Sequence, residues 1–461
     1  MDDLRPEFGA YGAASIQSPN LDRLAKRGVT FNRAYVQQAV CSPSRSSVMT
    51  GTRPDTTKVW DLETHFRAAL PDVVTLGQHF KQHGYFVQGM GKIYHGGFDD
   101  AATWSVPWQT PRTGGAYARS ENIALTRRST ASLPADQTVK IATTPAPAPR
   151  GPAFESADVP DNAYQDGRVA ELAVTTLRDI SRKSEPFFLA VGFAKPHLPF
   201  VAPKKYWDLY DPDTIPLAPN TFRPRGAPDY AIVPGGELRS YHGIPTGSIP
   251  DDLARQLKHG YYAATSYMDA QVGKVLDELD RLGLRENTIV VLWGDHGWKL
   301  GEHDAWCKHS NAENDTNAPL LVSVPGTKHA GVRTEALVEF VDIYPTLAEL
   351  AGLPLPAHLE GQSFKLVLEN PSRAWKSAAF SQYSRRPGGR ALMGCSMRTD
   401  RHRLTAWVDR GDHSKIYAIE LYDHQTDPQE NVNIAAEPRH AALVATLTDQ
   451  WREGWRGVLP T

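Results

Sequence analysis

The sequence predicts an α/β fold in which helices cover both faces of a mostly parallel sheet, followed by a smaller C-terminal α+β unit with an antiparallel sheet. Short apolar runs alternate with amphipathic segments over most of the 461 residues, which is typical of parallel strands joined by helices. Polar residues directly follow several of these runs, where open α/β sheets place their ligands. Beyond about residue 371, short strand patterns separated by turn residues predict the antiparallel sheet and a final helix.

Start and stop signals define the predicted elements. The first helix has Ser18 as N-cap, Pro19 at its first position and Gly28 as its end. The predicted helices are Ser18–Gly28, Cys41–Thr50, Thr75–His83, Asp166–Ser181 and Asp251–Leu282. The predicted strands are Tyr85–Met90, Pro186–Phe193, Thr288–Trp293, Arg398–Val408 and Ile416–Tyr422.

We divide the chain into a catalytic unit, residues 1–370, and a C-terminal unit, residues 371–461. A stretch from about 104 to 160 is rich in Ala, Pro, Thr and Arg, with the repeat Thr144–Pro149 at its centre, and predicts a surface excursion. The chain opens directly on Met1-Asp2-Asp3, with no apolar leader and no strand before the acidic pair. We therefore expect that the first strand of the sheet is missing from this sequence.

Composition excludes several classes of function. A net charge of -2 argues against a global field that would hold nucleic acid or an anionic membrane. The longest apolar runs are much shorter than the roughly 20 residues needed for a membrane span. The three cysteines, Cys41, Cys307 and Cys395, are too scattered for a disulfide framework or a zinc motif.

The segment from Cys41 to Gly51 combines a thiol, a proline and a basic residue at a predicted helix start. A helix N-terminus lowers a thiol pKa and attracts anions, so Cys41 near Arg45 has the features of a thiolate nucleophile. An inert buried cysteine is the commoner situation and fits the same residues. Local sequence alone leaves both alternatives open.

Two pairs, Asp2-Asp3 and Asp295-His296, have the residue types of a metal site. Alone, each pair is weak evidence, because terminal carboxylates are usually solvated and Asp-His-Gly is often a turn. Carboxylate oxygens are hard ligands that favour Ca²⁺ or Mg²⁺ over Zn²⁺. Three basic motifs, Gly91–Gly96, Ala194–Phe200 and Trp306–His309, also follow predicted strands or turns, although any one of their side chains is compatible with a solvated position.

The string Cys41-Ser42-Pro43-Ser44-Arg45 resembles the modification signature of type I, formylglycine-dependent sulfatases of the alkaline phosphatase superfamily. Resemblance to the iduronate-2-sulfatase branch extends over nearly the whole chain. It includes Asp2–Pro6, Ser18–Ala25, Phe187–Gly192, Asp295–Trp298, Leu300–His303, Val341–Leu347 and Met393–Asp400.

The resemblance implies a nucleophile and a metal site. Cys41 would be oxidised to formylglycine, whose hydrate supplies one hydroxyl to attack sulfur and another to expel sulfate. Asp2, Asp3, Asp295 and His296 would bind one Ca²⁺ together with residue 41. Imidazole is an unusual calcium ligand and many sulfatases have asparagine there, but the iduronate-2-sulfatase branch also has histidine.

The resemblance also assigns roles to basic residues. Lys92 and Lys308 would bind sulfate, and Arg45 would hold the formylglycine. His95 would act as base for the hydrate and His197 would protonate the leaving oxygen, although the two histidines could exchange roles.

The implied substrate is a sulfate monoester, with 2-O-sulfate on a hexuronate of a sulfated polysaccharide or oligosaccharide as the expected group. Trp298 and His303 would line the pocket or pack beside the metal loop. Arg385, Arg386 and Arg390 would face the substrate carboxylate or lie in a solvated loop.

The resemblance further implies a partner, the formylglycine-generating or sulfatase-maturating enzyme, and a periplasmic or secreted location. Two alternatives remain at this point. One is a phosphate or phosphonate monoester hydrolase of the same superfamily, and the other is an inactive glycan-binding relative.

Overall fold

The computed structural model of the chain describes residues 1–111, 115–131, 150–234 and 236–460. The strands are β1 (Val29–Phe31), β2 (Ala34–Tyr35), β3 (Phe86–Gly91), β4 (Arg150–Pro152), β5 (Phe154–Ala157), β6 (Phe187–Gly192), β7 (Phe200–Pro203), β8 (Tyr241–His242), β9 (Val290–Trp293), β10 (Leu320–Ser323), β11 (Val332–Thr334), β12 (Val338–Glu339), β13 (Ala378–Arg385), β14 (Leu392–Thr399), β15 (His402–Asp409) and β16 (Asp412–Asp423).

The helices are α1 (Pro19–Ala25), α2 (Cys41–Thr50), α3 (Pro54–Thr57), α4 (Leu76–Gln82), α5 (Ser120–Ala131), α6 (Gln165–Ile180), α7 (Lys204–Trp207), α8 (Asp251–Arg281), α9 (Glu313–Thr316), α10 (Ile343–Leu350), α11 (Lys365–Glu369) and α12 (Ala441–Glu453). All five predicted helices are present. Within the described residues, no helix combines the length and apolarity needed to cross a bilayer.

The central sheet has two parts, which the first residues of the chain connect. β3 pairs in parallel with β6, and β9, β10, β1 and β11 form the second part in that order. Asp2 bridges Pro196 in parallel, just beyond β6. On the other side, the Asp295 amide donates to the Met1 carbonyl over 3.0 Å. Residues 1–3 therefore lie between the ends of β6 and β9.

Alternation along β10 explains why helices cover both faces of this sheet. Leu321 belongs to a core that includes residues of α1, α6 and α8. Its neighbours Leu320 and Val322 point the other way, into a core with residues of α2, α10 and α11. The predicted α/β class is confirmed. β10 runs antiparallel to both neighbours, so the sheet is mixed.

The C-terminal sheet has the order β13-β14-β15-β16, antiparallel throughout, and α12 packs on it. The single strand predicted for Arg398–Val408 is wrong, because Asp400 and Arg401 form a hairpin turn between β14 and β15. Across that turn, Met397 and Leu404 are cross-strand partners and both are buried. The proposed division at about residue 370 lies between α11 and β13.

The predicted excursion at 104–160 is only partly described. It contains α5, β4 and β5, and β5 pairs in parallel with β7. The Thr144–Pro149 repeat lies outside the described residues.

Candidate active site

Three strand ends and one helix start bring the predicted residues together. Lys92 follows β3, His197 lies beyond β6, and Asp295 lies two residues after β9. α2 begins at Cys41, so its N-terminal end faces the same place. This agrees with the rule that open α/β sheets bind ligands beyond the carboxyl ends of their strands.

Three carboxylates, those of Asp2, Asp3 and Asp295, are fully buried at this point. The Asp3 amide donates to Asp295 Oδ1 over 3.1 Å, and His296 Nδ1 lies 3.5 Å from Asp3 Oδ1. Burial opposes the charge of Asp2, but Lys92 and other cations hold its pKa well below the usual range. Burial raises the pKa of Asp3 despite the nearby Lys308 ammonium. The cluster therefore concentrates negative charge that needs cations close by.

The Cys41 thiol sits against this cluster. Its Sγ lies 3.3 Å from Asp2 Oδ1, 3.4 Å from His296 Nε2 and 3.7 Å from Lys92 Nζ. The residue is only 2 % exposed. Burial and the Asp2 carboxylate raise the pKa of Cys41 well above its ordinary value, which disfavours a thiolate nucleophile. An unmodified Cys41 in this setting is a weak nucleophile.

Arg45, one turn further along α2, contacts the carboxylates of Asp295 and Asp2. Its Nε donates to Asp295 Oδ2 over 2.9 Å, and its Nη1 donates to the carbonyl oxygens of Lys92 and Ile93. Its Nη2 lies 3.6 Å from Asp2 Oδ1. Because the side chain is buried and fully engaged, Arg45 joins the start of α2 to the ends of β3 and β9.

Two lysines pair with different carboxylates of the cluster. Lys92 Nζ donates to Asp2 Oδ2, and Lys308 Nζ lies 3.0 Å from Asp3 Oδ1. Burial opposes both charges, yet Asp2 and Asp3 raise the pKa of Lys92 and Lys308 above the usual lysine value. Both side chains are therefore cations that face the space beside Cys41.

The two histidines have opposite electrostatic environments. Burial and Lys92 lower the pKa of His95 to about 4, and its Nδ1 is buried with no hydrogen-bond partner among the described residues. Burial also opposes the charge of His197, but Glu237 and Asp3 raise its pKa. Both ring nitrogens of His197 face oxygens, with Nδ1 2.6 Å from the Leu198 carbonyl and Nε2 3.1 Å from Glu237 Oε1.

Glu237 is a site residue that sequence reasoning missed. Its carboxylate bridges Lys308, at 2.7 Å, and His197, at 3.1 Å. Burial opposes its charge, but His197 and Lys308 hold the pKa of Glu237 well below the usual range. The residue lies in a Pro- and Gly-containing stretch between β7 and α8, where no motif or periodicity marks it.

The residues predicted to contact the sugar include fully buried aromatic side chains, one arginine bound to backbone carbonyls and two exposed arginines. Trp298 and His303 are both fully buried, which favours the alternative in which they pack beside the metal loop. Arg385 donates to the carbonyl oxygens of Tyr230, Ala231 and His309 and so fixes these loops, which favours a structural role. Arg386 and Arg390 are exposed, and Arg390 stacks over Tyr417. A substrate contact of these arginines stays a prediction.

The donor atoms fit a hard divalent cation. One ligand atom from each of Asp2, Asp3, Cys41 and His296 lies within 4.8 Å of the others. The Asp295 carboxylate joins them, with Oδ1 3.6 Å from His296 Nε2. Buried carboxylates that converge in this way match the oxygen-rich environment that Ca²⁺ and Mg²⁺ prefer.

Comparisons with known proteins show the family and the fold. A family model described as Sulfatase matches residues 1–353, and one described as N-sulphoglucosamine sulphohydrolase, C-terminal, matches residues 301–455. The chain is 34 % identical to iduronate 2-sulfatase of Mus musculus, over 97 % of this chain and 92 % of the relative.

Solved structures share the fold at lower identity. The phosphonate monoester hydrolase of Silicibacter pomeroyi superposes with a TM-score of 0.76 at 21 % identity, covering 99 % of this chain and 94 % of the other. A structure described as a 2-O GAG sulfatase gives a TM-score of 0.67 at 22 % identity, with 98 % and 89 % covered. The family match over most of the chain, the near full-length relative and the shared fold lead to one conclusion: the chain belongs to the sulfatase family and is a sulfuric ester hydrolase with the alkaline-phosphatase-like fold.

Proposed function

We propose that the chain hydrolyses 2-O-sulfate esters on hexuronate residues of a sulfated glycan, with formylglycine at position 41 and one Ca²⁺. The observation that carries this proposal is the convergence of Cys41, the Asp2 and Asp3 carboxylates and the Lys92 and Lys308 ammonium groups at one strand-end site. The full-length similarity to a protein named iduronate 2-sulfatase supports the choice of substrate.

The chain's own residues account for binding and proton transfer. When present, the formylglycine hydrate and Ca²⁺ supply an activated oxygen nucleophile and polarise the sulfate ester. Lys92 and Lys308 neutralise the sulfuryl oxygens. Neutral His95, with its free Nδ1, accepts a proton, and His197 donates one from Nε2 to the leaving sugar oxygen. The opposite pKa shifts of the two histidines support this assignment over the exchanged one.

Intact mass and a matched substrate pair test this proposal. We expect residue 41 to show the mass change of one sulfur replaced by one oxygen with loss of two hydrogens. We also expect kcat/KM for a hexuronate 2-sulfate oligosaccharide to exceed that for the matching phosphate ester. An unmodified thiol in an active preparation would contradict the mechanism.

A phosphate preference would favour the phosphate or phosphonate ester alternative. Binding of the oligosaccharide with no release of sulfate would favour the inactive glycan-binding relative. We also propose that a formylglycine-generating or sulfatase-maturating enzyme acts on Cys41 and that the protein works in the periplasm or outside the cell. Detection of the modified residue in an exported fraction would support both points.

A further inference from the structure

Glu237 lies directly before a segment whose backbone is anchored to the fold. We call residues 236–242 the Glu237 strap. It contains a short 3-10 turn at Leu238–Ser240, and β8 at its end pairs in parallel with β4. Leu238 is 1 % exposed and packs in the main core. Because the backbone that follows Glu237 is anchored, a movement of its carboxylate has to come from rotation of the side chain.

The carboxylate has three cationic neighbours. Oε2 accepts from Lys308 Nζ at 2.7 Å, and Oε1 lies 3.1 Å from His197 Nε2 and 3.2 Å from Arg150 Nη1. Lys308 and His197 are the groups that the proposed function assigns to the sulfate ester and its leaving oxygen. Arg150 lies on the outer side, with 40 % of its side chain exposed.

We propose that the Glu237 carboxylate is an internal competitor of the substrate sulfate: it occupies Lys308 and His197 in the resting site, and the incoming anion displaces it towards Arg150. This inference rests on the proposed function. The carboxylate and a sulfate carry like charge and share the same donors, so they cannot hold Lys308 and His197 together without strong repulsion. Arg150, which also lies 3.2 Å from the Tyr241 hydroxyl, gives the displaced carboxylate a partner.

Competition of this kind limits how tightly the site holds product. Without a competing carboxylate, Lys308 and Lys92 beside a metal would bind inorganic sulfate strongly after the reaction, because charge-assisted hydrogen bonds are stronger than neutral ones. A tethered carboxylate that returns to Lys308 favours release. Glu237 thus tunes anion affinity through the groups that it shares with the substrate.

The test uses the mature, metal-loaded protein and inorganic sulfate as the probe. Glu237→Gln keeps the size of the side chain and removes its charge. We expect this variant to bind sulfate about tenfold more tightly, by calorimetry and as an inhibitor, since charged hydrogen bonds no longer have to be broken. KM for the ester falls with it. Asp208→Asn is the matched control, because Asp208 pairs with Lys204 on the exposed surface.

A second variant tests the route of displacement. Arg150→Gln removes the outer partner of the Glu237 carboxylate, so we expect weaker sulfate binding than in the mature protein without this substitution. In the Glu237→Gln background the same change has little effect, because no carboxylate needs the outer position. Equal effects of Arg150→Gln in both backgrounds would overturn the displacement route.

Other outcomes separate the alternatives. Unchanged or weaker sulfate binding in Glu237→Gln, with a fall in kcat, would show that Glu237 orients Lys308 and His197 and would overturn the inference. Loss of bound metal in that variant would identify a metal ligand and would overturn it too. If the mature protein without substitutions binds sulfate but hydrolyses no sulfate ester, the proposed function fails independently of the Glu237 result.

Discussion

Arg45 connects three parts of the active site with one guanidinium. We expect Arg45→Lys to lower kcat/KM by about 100-fold, the order found when one preorganised donor to a reacting centre is removed. It should also lower the free energy of unfolding by about 3 kcal/mol, because Asp295 loses a buried partner. Steady-state kinetics and urea unfolding measure both effects.

The matched control is Arg27→Lys, at a more exposed pair with Asp280. We expect a change in stability below about 1 kcal/mol and unchanged kinetics. Equal losses in the two variants would contradict the special role of Arg45.

His95 should set the acidic limb of the pH profile. Burial and Lys92 lower its pKa to about 4, so the ring stays neutral and able to accept a proton as the pH falls to that value, and it is lost as a base only below it. We expect the acidic limb of kcat/KM near pH 4, well below the ordinary histidine value. His95→Gln should lose about 10²- to 10⁴-fold in rate. An acidic limb of kcat/KM near the ordinary histidine pKa that disappears in His95→Gln would contradict the lowered pKa of His95.

For single residues, the sequence predicted positions in the site best where the residues follow strands. Lys92 and Asp295 could be placed because parallel strands end at one edge of a sheet. Glu237 could not, because its position depends on how a segment without periodicity crosses the fold. Arg385 was predicted either to face the substrate carboxylate or to lie in a solvated loop, and its donation to backbone carbonyls is a contact that no sequence pattern encodes.

Among the elements, β12 and β13 meet through a fully buried ion cluster. Lys376 Nζ lies 2.8 Å from Glu339 Oε2 and 2.7 Å from Asp342 Oδ1, and its side chain has no exposed area. We expect Lys376→Met to destabilise the protein by about 3–5 kcal/mol, because the buried Asp342 carboxylate loses Lys376 and Glu339 keeps only its pair with Arg53. The midpoint of denaturant unfolding measures the loss.

Lys204→Met is the surface control for this cluster. Lys204 pairs with Asp208 one turn along a helix, and both side chains are more than half exposed. We expect a change within about 0.5 kcal/mol. A similar effect of the two substitutions would mean that the buried cluster contributes little to joining the two sheets.

Helices were easier to predict than strands. α2 has the predicted bounds because a helix start and the terminal Gly51, at φ 67°, mark it. The turn at Asp400 and Arg401 was missed, although the core-facing positions change there from odd-numbered residues, up to Met397, to even-numbered residues, from Leu404 onwards.

Metal binding should stabilise the molecule as a whole. The donor residues span Asp2 to His296, so a bound cation joins the start of the chain to the end of β9. We expect chelation to lower Tm, and Ca²⁺ to restore it better than Mg²⁺. A ligand at about 1,000 times its dissociation constant adds about 4 kcal/mol. Thermal unfolding with and without EDTA measures this.

Asp295→Asn should weaken this response to metal, whereas Asp208→Asn should leave it unchanged. A Tm that is insensitive to chelation in a preparation with bound metal would contradict the link between the site and global stability.

For the whole molecule, the layer architecture followed from the alternation of strands and helices, and it was confirmed. The direction of β10 was not foreseen, because an apolar run has the same pattern whether its neighbours run parallel or antiparallel.

Under the proposed formylglycine mechanism, the burial of Cys41 sets the order of maturation and folding. The proposed maturation enzyme would have to reach the sulfur, and the folded protein leaves Cys41 2 % exposed. We therefore expect the proposed oxidation to come before the site closes, when Asp3 and Asp295 meet across 292 residues of sequence. Contacts so distant in sequence form slowly. On this proposal, the fraction of active molecules depends on the rate of maturation relative to the rate of folding.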